Sequence, residues 1–212
     1  VPEHGTKAAR DAVAALLMAD LPPRIDAMTE LWSLQEASIP WPGQVTSGET
    51  ADNVLDHRSD TWIEVIAPRL LPRTKIVGIT VDGQLVHRYR YSARIYVWVL
   101  ADRWQDALDR RDRLCTAARD SLLTYPTLAI PPAYGDTGFL VHNNTISEEF
   151  AEPYRIGGRN GGSPRVRAAG LLAYEIDHEY ATGLPDTTGP LGTFDTFDLT
   201  VTLAPYTHPI GA

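Results

Sequence analysis

Between Arg88 and Leu123 the hydrophobic period changes once, and that change constrains the fold more than any other feature of the chain. Tyr89, Tyr91, Ala93, Ile95, Val97 and Val99 alternate with Arg88, Arg90, Ser92, Arg94, Tyr96 and Trp98. Period two places these sets on opposite faces of one strand. The first set makes a core face. The second begins with arginines and ends with aromatics, so its far end is expected to be covered too. Just beyond, Trp104, Leu108, Arg111, Cys115, Ala118 and Leu122 recur at the 3.6-residue spacing of a helix buried along one stripe. Asp102, with Gln105 three residues later, is expected to cap that helix as a capping box. Thr124-Tyr125-Pro126 ends it.

The flanking segments extend the pattern. Thr6 is a candidate cap for a helix with Ala9, Val13, Leu16 and Leu17 on its apolar face. Pro22 and Pro23 lack amide protons and clash with a preceding turn. They are expected to close that helix and open a second one, capped by Asp20, with Ile25, Met28, Leu31 and Trp32 inward. Residues 40–60 read as an irregular excursion with one helical turn near Ala51–Leu55. Thr61–Ile66 and Thr74–Val81 have the β-branched content of two strands. Asp82-Gly83 is the strongest hairpin-turn signal, because glycine accepts the positive φ such a turn needs. Phe139–Glu149, Arg165–His178 and Phe194–Ala204 read as further strands. A Gly-rich loop at Gly157–Gly162 separates the first two, and a Pro/Gly/Thr-rich loop at Thr182–Thr193 precedes the third.

Taken in order, residues 1–36 are a helix pair, 61–124 strands plus the central helix, and 139–204 strands. The expectation is a single α+β domain over 1–212, a mixed or antiparallel sheet with the helices on one face and long loops.

Composition narrows the function classes. The 212 residues carry a formal net charge of -8, which argues against a surface built to wrap phosphate backbones. Cys115 is the single cysteine, so neither an internal disulfide nor a thiolate metal cluster is expected. No apolar run reaches the length of a membrane span. Residues 1–10 are polar and do not read as a secretory signal, and Val1 is consistent with a GTG start codon in a high-GC bacterial or phage genome.

Catalytic constellations are not evident. Gly157–Gly162 lacks the Lys-Ser/Thr that completes a phosphate loop. Glu175, Asp177 and Glu179 share one face of a strand, with His178 opposite, so three carboxylates could face a hard cation. The competing reading is an acidic, interface-facing strand end. Asp56-His57 and His142 have no nucleophile pattern beside them. Cys115 sits on an apolar stripe, as a small hydrophobe would. No cofactor is expected. Arg88, Arg90 and Arg94 form a short basic row that fits a neighbouring subunit better than nucleic acid, given the aspartates that follow. With Arg110, Arg113 and Arg159 they are the candidate interface residues.

The run RIYVWVLADRWQDALDRRDRLCTAARDSLL, Arg94 to Leu123, resembles the central strand–helix unit of tail terminator proteins from long-tailed actinobacterial phages. The upstream order is similar as well: a short helix, Asp20-Leu21-Pro22-Pro23-Arg24, then a second helix. The resemblance covers about the first two-thirds of the chain. It implies a subunit of a homo-oligomeric, hexameric ring at the virion neck, assembled in the host cytoplasm. Such a ring caps the head-proximal end of the tail tube and contacts the major tail tube protein. A head-completion (stopper or adaptor) protein docks on its other side, genome DNA passes through unread, and no membrane is involved. The alternatives are another neck or tail ring component (head–tail adaptor, stopper or tube-like subunit) and a metal-dependent hydrolase using Glu175, Asp177 and a histidine.

Overall fold

The computed structural model describes residues 5–34, 39, 42, 44–48, 61–80, 83–129, 138–157 and 164–181. In chain order the elements are α1 (Thr6–Leu31), β1 (Gln44–Ser47), β2 (Thr61–Ile79), β3 (Leu85–Ala101), α2 (Trp104–Thr124), β4 (Phe139–Val141), a 3-10 turn (Asn143–Thr145), β5 (Ser147–Phe150), β6 (Tyr154–Ile156) and β7 (Arg165–Ala181). They form an α+β fold with one seven-stranded mixed sheet. Its order is β1-β2-β3-β7, with β4, β5 and β6 end to end along the far side of β7. Among the described strands only β1 is parallel to its neighbour. The helical turn expected near Ala51–Leu55, Arg159 in its Gly-rich loop, the expected Thr182–Thr193 loop and the expected Phe194–Ala204 strand lie outside the described residues.

Alternation in β3 partitions the molecule as its sequence requires. Tyr91, Ala93, Ile95, Val97 and Val99 are buried on an inner face, joined there by Ile63 and Val65 of β2 and by Leu172, Tyr174 and Ile176 of β7. Both described helices cover this face, and their stripes supply the other half of the core. In α2 the buried set is Ala107, Arg111, Leu114, Cys115, Ala117, Ala118, Ser121 and Leu122. Trp104 is 41% exposed, because the stripe begins at Ala107 and leaves the first turn over solvent. The proposed capping box is also absent. Arg103 is the N-cap, Asp102 accepts a hydrogen bond from Arg165, and Gln105 donates to Asp109.

The proline corner is not a corner. α1 runs unbroken through Pro22 and Pro23, with Gly5 as its N-cap and no side-chain cap from Thr6. Its buried positions Val13, Leu17, Leu21, Ile25 and Met28 keep helical phase across the prolines. Burying that continuous stripe outweighs the hydrogen bonds that two prolines forfeit, and Pro23 itself is exposed. Asp20 does not cap. It is buried between the helices, accepting from Arg24 Nε at 2.6 Å and from Ser121 Oγ of α2 at 2.7 Å. Leu31 and Trp32, expected inward, are exposed at the helix end.

The two strands expected over 61–81 are one strand, β2, whose pairing with β3 slips between Ile66 and Arg69, between Leu71 and Lys75, and between Ile76 and Gly78. Pro68 and Pro72 fall in the first two slips. Beyond β1 the strand is a sheet edge among the described residues, where a missing N–H costs no ladder bond. The β2–β3 turn contains Gly83 at φ 82°, as the Asp82-Gly83 signal requires. Phe139–Glu149 is interrupted by the 3-10 turn, and β1 and β6 appear where no strand was expected.

The helix layer sits on the sheet at one close approach. A methyl group built on Gly170 of β7 would collide with Cys115 Sγ and press on Arg111 Cγ at 3.4 Å. Gly170→Ala should therefore destabilise the fold by about 1–3 kcal/mol, the usual cost of overpacking. Cys115→Ala in the same chain should recover part of that loss in a double-mutant cycle read by urea denaturation. Strictly additive effects would show that helix and strand are not in contact there.

Candidate interaction surface

No described helix packs on the outer face of the sheet, and the charged rows of β3 and β7 pair there across the strands. The register of β3 on β7 sets Arg88 opposite Glu179, Arg90 opposite Asp177 and Ser92 opposite Glu175. The basic row and the acidic row recognised in the sequence are thus two sides of one ladder. Arg90 donates to Asp177 through Nε at 2.6 Å and Nη2 at 3.0 Å, and to Glu175 through Nη1 at 3.2 Å. Arg88 is bound to Glu179. His142, just past β4, places Nε2 2.9 Å from Asp177 Oδ2.

Asp177 is buried and Arg90 half-buried. Burial opposes the Asp177 charge. The Arg90 hydrogen bonds, the contact with His142 and the charges of both outweigh it, holding the carboxyl below its ordinary value. The Asp177 hydrogen bond in turn raises Arg90. The carboxylates that could have faced a cation are therefore engaged by guanidinium groups. Among the described residues no group of three His, Cys, Asp or Glu side chains could hold a metal ion. His178 points to the inner face, stacked on Phe139 with ring centroids 4.0 Å apart.

Toward the other end the same face turns aromatic. Trp62 stacks on Trp98 at 5.8 Å, and Trp98 Nε1 donates to Glu64 Oε2 at 3.3 Å. The Arg167 guanidinium lies over the Trp62 and Tyr154 rings at 5.6 and 6.0 Å. Trp62 is buried and Trp98 half-buried, which meets the expectation that this end is covered. Arg94, between the two halves, is exposed, with Nη1 3.4 Å from Tyr96 Oη.

Among the described strands, the two sheet edges carry the exposed large apolar side chains. On the β2–β3 side these are Leu70, Ile76, Val77, Ile79 and Leu85; on the β4–β6 side, Leu140, Phe150 and Tyr154. The second edge is fastened to α2 by Arg111. That buried guanidinium donates from Nη1 to Ala151 O at 3.0 Å and lies 4.5 Å from the Phe150 ring centroid. Arg119 adds a pair with Glu148 at 2.8 Å.

Of the candidate interface residues, the fold unites Arg88, Arg90 and Arg94 on the outer face. Arg110 and Arg113 lie half-buried on α2, across the sheet from the ladder, and Arg159 lies outside the described residues. Sequence reasoning missed Arg167, Trp62 and the apolar edges. Lys75-Ile-Val-Gly-Ile was their one visible signal, an apolar run beside a turn. Cys115 is fully buried and its thiol is pushed up to about 12, chiefly by burial. No described helix is long and apolar enough to cross a membrane. Comparison with known proteins yields no matching family model and no matching curated relative.

Asp177→Asn should lower stability by about 1–3 kcal/mol at neutral pH, since it strips charge from a buried, hydrogen-bonded pair. A depressed carboxyl stabilises the fold above its unfolded pKa, near 3.8, and loses that contribution as pH falls through the folded value. The gap between wild type and variant, followed by urea midpoints, should narrow only below about pH 4; a gap constant to pH 2 would rule out the linkage. Cys115 should resist thiol reagents in the native protein and react on unfolding. Rapid native labelling would contradict its burial.

Proposed function

We propose that this chain is a structural subunit of a phage virion, one that closes into a ring at the head-proximal end of the tail tube, stops tube growth and presents a docking surface to the filled head. The observation that carries the assembly part is the placement of exposed apolar side chains along both edges of the sheet. Large apolar groups left in water on open edges favour association with another protein surface. Two different edges on one subunit suit head-to-tail contacts, which close into rings when the rotation per subunit allows.

The terminator assignment rests on the resemblance of Arg94–Leu123, a segment that folds as strand β3 running into helix α2 with Cys115 in the core. The ion-paired ladder fits a scaffold role, because its charges are already neutralised. In this reading the tube protein and the head-completion protein are the partners, six copies make the ring, and DNA crosses it without sequence recognition. Net charge of -8 suits a channel that must not grip DNA.

Deleting the gene in the phage tests the role. Abnormally long tail tubes are expected by electron microscopy. Tubes of normal length that fail to join heads would assign the subunit to an adaptor or stopper and overturn the terminator reading.

A further inference from the structure

The two edges differ in charge as well as position. Along the open part of β2, Arg69 and Lys75 are exposed cations with no ion pair among the described residues. At the opposite edge Glu149 of β5 and Glu152 just beyond it are exposed carboxylates, likewise unpaired among the described residues, with Arg155 of β6 an exposed cation further along. β1 covers β2 only at Trp62–Val65, so the remainder of the strand to Ile79 is an edge among the described residues. Among the described strands β5 and β6 pair with β7 alone.

Face matching sharpens the complementarity. Register places Arg69 beside Ser92 and Lys75 beside Arg88, on the outer face. Glu149 lies beside Leu171 on that same face. Leu70 and Ile76, opposite Tyr91 and His87, are on the inner face, as is Phe150 opposite Gly170. Strand direction also agrees. β2 runs with β7 and against β5, so a β2 edge set against the β5 edge of another copy continues the antiparallel alternation.

We infer that the occupant of the β2 edge is a second copy of this chain, docked through its β5 edge. Arg69 and Lys75 of one subunit then meet Glu149 of the next on the outer face, with Glu152 just past the end of its β5. Leu70 and Ile76 meet Phe150 on the inner face. Pro68 and Pro72 limit backbone pairing to the distal part of β2 and stop the edge from recruiting unrelated strands. The inference rests on the chain being a self-assembling subunit, though not on which virion part it forms.

Two charge-reversed chains test it, Arg69→Glu/Lys75→Glu and Glu149→Lys/Glu152→Lys, with mass in solution measured by light scattering and folding checked by thermal melting. Wild type should assemble, and each variant alone should associate at least about tenfold more weakly, because like charges now face each other. An equimolar mixture of the two should regain assembly, since every second contact again pairs opposite charges and the others pair them in reversed sense. Ile76→Ser, which leaves charge untouched, should also weaken association. Variants that assemble as tightly as wild type, a mixture no better than its components, or a strictly monomeric wild type would overturn the contact. Tail length after gene deletion reads the virion role separately, so either idea can fail alone.

Discussion

One close approach inside the molecule positions most of what lies outside it. Helix α2 rests on β7 where Gly170 has no side chain, and the Cys115 sulfur takes the space a Cβ would fill. At that depth the buried Arg111 reaches past the sheet margin to Ala151 O and Phe150, which seats β5 along β7. A bulkier residue at position 170 would lift the helix and, with it, the anchor of the acidic edge. Core packing and the proposed contact surface are thus coupled through one glycine and one cysteine.

Two faces with different rules follow from the same sheet. The inner face is closed by apolar burial, the term that dominates folding stability. The outer face has no described helix over it; its β3–β7 ladder satisfies its charges by cross-strand pairs and its aromatics stack, while Arg69, Lys75 and Glu149 on that face carry no ion pair among the described residues. An arginine ladder of this kind adds register specificity to β3–β7 pairing, because a one-residue slip would set the arginines against inward-facing neighbours. A surface so neutralised suits a scaffold, and it leaves the edges as the places where charge and apolar area remain to be matched.

Much of this was legible in the sequence where local periodicity decides the outcome. Tyr91–Val99 fold as their period requires, and the Cys115 stripe does so from Arg111 to Leu122, while Trp104 and Leu108 at its start are not buried. Both charged rows of the ladder were visible by period two, yet their pairing was not, since Arg90 and Asp177 lie 87 residues apart and only the β3–β7 register joins them. Pro22 and Pro23 misled for a related reason. Proline chemistry is local, whereas the stripe Val13–Met28 keeps its phase through both prolines and tertiary burial wins. β2 misled in the same way, because an edge tolerates the prolines that would break an interior strand. Arg111 was placed on the apolar stripe by spacing alone; its contact with β5 explains why a cation belongs there.

Hydrogen–deuterium exchange of the assembled protein, compared with the same protein diluted until its subunits separate, tests most directly the claim that these edges build the assembly. The account predicts that amides within residues 69–79 and 147–152 gain protection on assembly while β3 and β7 change little. Protection gained instead around Trp62 and Trp98 on the outer face, with both edges exchanging as in the separated subunit, would contradict it.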